Sequence, residues 1–181
     1  MWGLTALRLA SYPVVPFRAS AYTNKLRRYV ESLREATLEM VDGDVNEINK
    51  RINLDPLERA IAELSRYAKK LDEKADELVK SPGHRICYLW RTLCISRPRK
   101  VEIDQVNEEY LLFERIFIGR GLPGRPIYKH VVYAPGIWQG YEGLTFPSIR
   151  EAITGHRWQE AREQIKEITH LLNKATSKTL L

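Results

Sequence analysis

Cysteine is scarce: Cys87 and Cys94 are the two in 181 residues, too few for a disulfide framework and without the second pair that would complete a zinc site. Seven positions apart, they stand about 10 Å from each other along a helix, too far to bridge, and read as small apolar residues. No run approaches the roughly 18 apolar residues of a membrane-spanning helix, so no transmembrane segment is expected. The opening Met1-Trp2-Gly3 lacks the basic flank and cleavage site of a signal peptide; the chain reads as an excised piece, its localisation unknown.

Catalytic signatures are missing too. The histidines His84, His130, His156 and His170 share no HExxH or other metal spacing. There is no GxSxG elbow, and GRGLPG lacks the Lys-Ser/Thr of a phosphate-binding loop. His130, between Lys129 and Val131, reads as a structural hydrogen-bonding group rather than a general base. No catalytic residue, metal ligand or cofactor is therefore expected in this chain, and an autonomous enzyme is not. Acid is absent from one stretch: six bases lie between Lys80 and Lys100 with no Asp or Glu, while the whole chain carries +6. That is a local basic insert, about 81–100, rather than the stripe of a nucleic-acid binder. Its Tyr88, Leu89 and Trp90 among arginines keep open an alternative, a nucleic-acid or anionic-membrane binding module using 80–100. A plain surface insertion is the simpler reading, and no nucleic-acid partner is expected.

What is present is ordinary for one globular domain spanning 1–181, 44% hydrophobic and 29% charged. Trp2, Leu4, Leu7 and Leu9 suit a short helix before Pro13 and Pro16 force an extended passage. With Ser20 as N-cap, Tyr22, Leu26, Tyr29, Leu33, Ala36 and Met40 step by 3 and 4 along one helix face, which ends near Gly43. Residues 44–54 are weakly patterned, a helical turn or a loop. Asp55-Pro56 starts a helix whose seam runs Leu57, Ile61, Leu64, Ala68, Leu71, Ala75, Leu78, suited to a coiled coil or, among other amphipathic helices, a bundle. Asp104 caps a helix through Val106, Tyr110, Phe113 and Phe117; Ser148 caps a short one (149–154); Trp158, Ala161, Ile165, Ile168, Leu172 and Ala175 mark the last. The spacing predicts an all-α, four-helix-bundle-like domain with helices near 20–41, 56–80, 104–118 and 157–177.

Between the third and fourth long helices lies a long loop, rich in Gly and Pro but interleaved with Ile127, Tyr128, Val131, Val132, Tyr133, Ile137, Trp138, Tyr141 and Phe146, which must pack somewhere. It reads as an ordered loop. Apolar residues off the helix stripes, Leu38, Val41, Tyr67, Leu112, Leu171, Leu180 and Leu181, exceed what a monomer normally exposes. Tyr67, Leu112, Leu171 and Leu180 are the candidate dimer or domain contacts.

FERIFIGRGLPGRPIYKHVVYAP and the following YEGLTFPSIREAI resemble the C-terminal helical domain of the glutamate carboxypeptidase II and transferrin receptor family, and WGLTALRLASYPVVPFRASAYTNKLRRYV is similar to that domain's opening. The matching stretches flank the chain from residue 2 to about 154. The resemblance implies a homodimerisation domain that also forms one wall of the substrate pocket of an upstream zinc peptidase domain in a longer parent. Zinc is expected in that absent domain, and the parent is expected to be a zinc-dependent carboxypeptidase or an inactive relative, held by a single membrane span. In the family's peptidases a Lys-Tyr pair holds the carboxylates of a C-terminal glutamate. Gly140 stands at the Lys position and Tyr141 at the Tyr position. Without an ammonium at 140 a charge-assisted bond is lost, so glutamate specificity is not implied; Tyr141 is either a core anchor or part of the pocket wall. The loop IGRGLP is one residue shorter than the peptidase pattern.

Overall fold

The structure, a computed structural model, describes residues 2–40, 50–80, 97–137 and 143–179. Among them are six helices, α1 (Trp2–Ser11), α2 (Ala19–Met40), α3 (Asp55–Lys80), α4 (Arg97–Phe113), α5 (Pro147–Thr154) and α6 (Trp158–Thr179), a 3₁₀ turn Glu114–Phe117, and two antiparallel strands, β1 (Tyr133–Pro135) and β2 (Gly143–Thr145). The expected all-α bundle is what forms. α3 is central, packing on α2, α4 and α6, while α5 packs on α6. Every seam position of α3 from Leu57 to Leu78 is buried, because steps of 3 and 4 place them on one stripe.

On α2 the buried face is rotated from the expected one. Thr23, Leu26, Val30, Leu33 and Thr37 are buried, Tyr22 and Tyr29 lie half-buried on its shoulder, and Met40 is exposed. The threonines bury like valines because their hydroxyls are satisfied within the fold: Thr37 donates to the Leu33 carbonyl at 2.7 Å, and Thr23 to the Ser20 carbonyl at 3.0 Å.

Two other boundaries differ from expectation. α4 begins at Arg97, which makes Asp104 an interior residue. Pro98 falls in the first turn, where a missing N–H costs nothing, and no breaker follows until the helix tightens at Glu114. Near α5, Ser148 is not the cap. Phe146 occupies that position in the left-handed region (φ 46°), and Pro147, with its preset φ, starts the helix two residues early.

The long loop folds back on the end of α4. Val131 N–H donates to the Phe117 carbonyl at 2.9 Å, Gly119 N–H to the Lys129 carbonyl at 2.8 Å, and Ile118 bridges His130. Gly121 makes the reversal possible: its φ is +114°, and a Cβ there would stand 2.6 Å from the Pro126 carbonyl oxygen. Phe113, Phe117 and Phe146 are fully buried, and burying each contributes roughly 1.5–3 kcal/mol relative to exposure.

Candidate functional site: a clasped hairpin and the surface beside it

In the hairpin β1–β2 Pro135 pairs with Gly143, so the two residues close the base of segment 136–142. Arg125 holds that base. Its Nη1 donates to the Pro135 carbonyl at 2.7 Å and its Nη2 to Glu151 Oε1 on α5 at 2.5 Å. The two side chains are only 22% and 13% exposed, which leaves little solvent screening, and the Tyr128 ring lies 5.6 Å from the guanidinium. The hairpin is thus tied to a helix by a charged clasp rather than by its short ladder alone.

A second polar joint lies at the start of α2. The buried Asp72 carboxylate on α3 accepts the Ala19 and Ser20 backbone N–H groups at 3.0 Å, the Ser20 hydroxyl at 2.5 Å and the Tyr110 hydroxyl at 2.8 Å. Ser20 is therefore inside α2 and is not its cap. Asp72 caps the helix from another element, satisfying N–H groups that would otherwise be orphaned. Nearby, Asn107 of α4 donates to the Pro13 carbonyl at 2.7 Å and accepts the Val15 N–H at 2.9 Å, which fixes where the chain leaves α1.

His130 is held by hydrogen bonds on both ring nitrogens. Its Nδ1 accepts the Val132 and Tyr133 N–H groups at 3.3 and 3.0 Å, so the proton of the neutral ring lies on Nε2, 3.1 Å from Glu114 Oε1. Tyr133 stacks on it and donates its hydroxyl to Tyr29 at 2.8 Å. Burial pushes the Tyr22, Tyr110 and Tyr133 hydroxyls above the ordinary tyrosine range; for Tyr110 the bond to Asp72 adds to it, and for Tyr133 the bond to Tyr29. Folded-state values above the unfolded ones give stability that is full below about pH 10 and lost as pH rises beyond it. The urea midpoint, followed by circular dichroism, is expected to fall steeply above about pH 10; a midpoint unchanged there would contradict these buried phenols.

Among the described residues no group of three or more His, Cys, Asp or Glu is placed to hold a metal ion. Nor is any helix among them long and apolar enough to cross a membrane. Of the candidate site residues, Gly140, Tyr141 and Leu180 lie outside the described residues, as do Val41, Leu181 and, up to Ser96, the basic insert. Arg97–Lys100 of that insert open α4. Tyr67 is half-buried and donates to Glu109 at 2.8 Å, Leu171 is half-buried on α6, and Leu38 is half-buried against the core. Leu112 is 44% and its neighbour Leu111 64% exposed. The sequence reading passed over Leu111, Arg125, Glu151 and Asp72. For Asp72 a signal existed, since Ser65 and Asp72 recur seven apart beside the α3 seam. Trp2 on α1 is 90% exposed, and Leu4, Leu7 and Leu9 are exposed with it.

Comparison with known proteins bears on what this arrangement belongs to. The chain is 25% identical over 96% of its length to a probable glutamate carboxypeptidase of Arabidopsis thaliana, and 30% identical over 94% to one of Zea mays. It is 26% identical over 97% to a protein of Schizosaccharomyces pombe named as an inactive zinc metalloprotease. It spans 22%, 21% and 20% of those proteins' own lengths, the size of one domain. Residues 52–180, covering α3 through α6 with the clasped hairpin between them, match the transferrin receptor-like dimerisation domain, and the chain belongs to that family.

Proposed function

We propose that this chain pairs with a second copy of itself and so assembles a longer peptidase-family parent, and that segment 136–142, with Gly140 and Tyr141, supplies one wall of that parent's substrate pocket. The observation that carries self-association is the apolar surface left outside at the end of α4, where Leu111 and Leu112 are exposed, with Val101 earlier on the helix and Ile118 just past it. A twofold axis covers such a surface with its own copy. Tyr67 and Leu171, half-buried, are secondary candidates, and Leu180 a further one.

Support for the pocket wall comes from the clasp, which holds the base of 136–142 against α5, and from the family resemblance. Gly140 brings no cation, so Tyr141 supplies at most a neutral bond to a substrate carboxylate. The peptidase domain elsewhere in the parent is where zinc would bind, and the parent is a carboxypeptidase or an inactive relative. Replacing Leu111→Glu and Leu112→Glu together is expected to convert the dimer to monomer in size-exclusion chromatography with light scattering while the helical spectrum is kept. An unchanged mass for the double variant would place the contact elsewhere.

A further inference from the structure

A groove runs between the first turns of α3 and the outer side of α6, on elements the clasp does not use. Its two halves share Pro56, Thr169 and Asn173, so they are continuous. Arg162, Lys166 and His170 line the first half. Four residues apart on one helix, they stand on the same side at steps of about 6 Å. Arg162 is oriented by a bond from its Nη1 to the Arg51 carbonyl at 2.9 Å. In the second half Arg59 adds a cation, while the carboxylate of Glu63 is already paired with Arg66.

Thr169, which lines both halves, carries an unmet polar group. Thr169 Oγ1 is buried with no hydrogen-bond partner, whereas Thr23, Thr37 and Thr176 each donate to a carbonyl of their own helix. A buried hydroxyl without a partner is unfavourable, and it asks for one. An extended chain advances about 3.3 Å per residue, so carboxylates on alternate residues fall roughly 6.6 Å apart, close to the spacing of Arg162, Lys166 and His170. We propose that this groove receives an extended acidic peptide segment, its alternate carboxylates facing Arg162, Lys166 and His170 and a backbone group meeting Thr169. Nucleic acid fits less well, because the lining residues include no Phe, Tyr or Trp face on which bases stack.

The test is fluorescence anisotropy with a fluorescein-labelled peptide Gly-Glu-Leu-Glu-Leu-Glu-Gly and the whole chain. Binding is expected to saturate and to weaken with salt. Arg162→Glu with Lys166→Glu is expected to weaken it about tenfold, the scale of two partly exposed ion pairs. Thr169→Val, which keeps the shape and removes the hydroxyl, is expected to weaken it about threefold. Lys25→Glu with Arg28→Glu, exposed on α2, is expected to leave it unchanged. Loss in both groove variants and none in the α2 variant supports the proposal. Any other pattern overturns it, as do an absence of saturable binding and stronger displacement of the peptide by a thymidine decamer than by unlabelled peptide.

Discussion

Replacing Asp72 by alanine is expected to cost about 3–4 kcal/mol, the largest single-residue effect in this fold. The carboxylate receives four bonds, from two backbone amides at the start of α2, the Ser20 hydroxyl and the Tyr110 hydroxyl of α4. Bonds to an ionised acceptor contribute about 1.5–3 kcal/mol each, although members of one network do not add. Removal also leaves the Ala19 N–H and the Tyr110 hydroxyl without partners, and Ala19 is fully buried. Three helices lose their common polar joint at once, so the melting temperature is expected to drop on the order of 10 °C. Asp72→Asn keeps shape and one acceptor and is expected to lose about half as much. A loss below about 1 kcal/mol in urea denaturation of Asp72→Ala would show that α2 is capped by other means.

Arg125→Leu is expected to cost about 2–3 kcal/mol, because Glu151 is left as a largely buried carboxylate with no counter-charge and the Pro135 carbonyl loses its donor. Much of that cost is the stranded charge rather than the worth of the pair. The double variant Arg125→Leu, Glu151→Leu is therefore expected to be more stable than the sum of the single losses predicts. Hydrogen exchange separates a local from a global role. Amides at Gly119, Leu122 and Val131 are expected to exchange faster in Arg125→Leu, while those of the α3 seam keep their order of protection. Uniform acceleration across the chain would make Arg125 a general stability residue and not the clasp of the hairpin.

How much of this was legible in the sequence depends on which force decides each element. The α3 seam could be read directly, since every stripe position from Leu57 to Leu78 is apolar and all of them are buried. On α2 the pattern misled by one position, because buried Thr23 and Thr37 look polar until their carbonyl partners are known. The start of α4 was hidden by Pro98, which ends a helix in mid-sequence yet is tolerated in a first turn. Within the loop the interleaved apolar residues announced order only in part: Phe146 and Val132 are in the core and Val131 and Tyr133 pack against it, whereas Ile127, Tyr128 and Ile137 are exposed. Nothing in Gly124-Arg125-Pro126 says that its cation reaches Glu151, 26 residues on. Such pairings are set by tertiary geometry and leave no local period. Leu111 escaped for the opposite reason: beside the stripe residue Tyr110 it passes for core, and only the finished helix shows which way it faces.

Self-association is the centre of this account, and sedimentation equilibrium of the unaltered 21.1 kDa chain over a wide concentration range tests it most directly. The mass is expected to rise with concentration and level at twice the chain's own. A single species of 21.1 kDa persisting at the highest concentrations would contradict the account and leave the exposed end of α4 to a different partner.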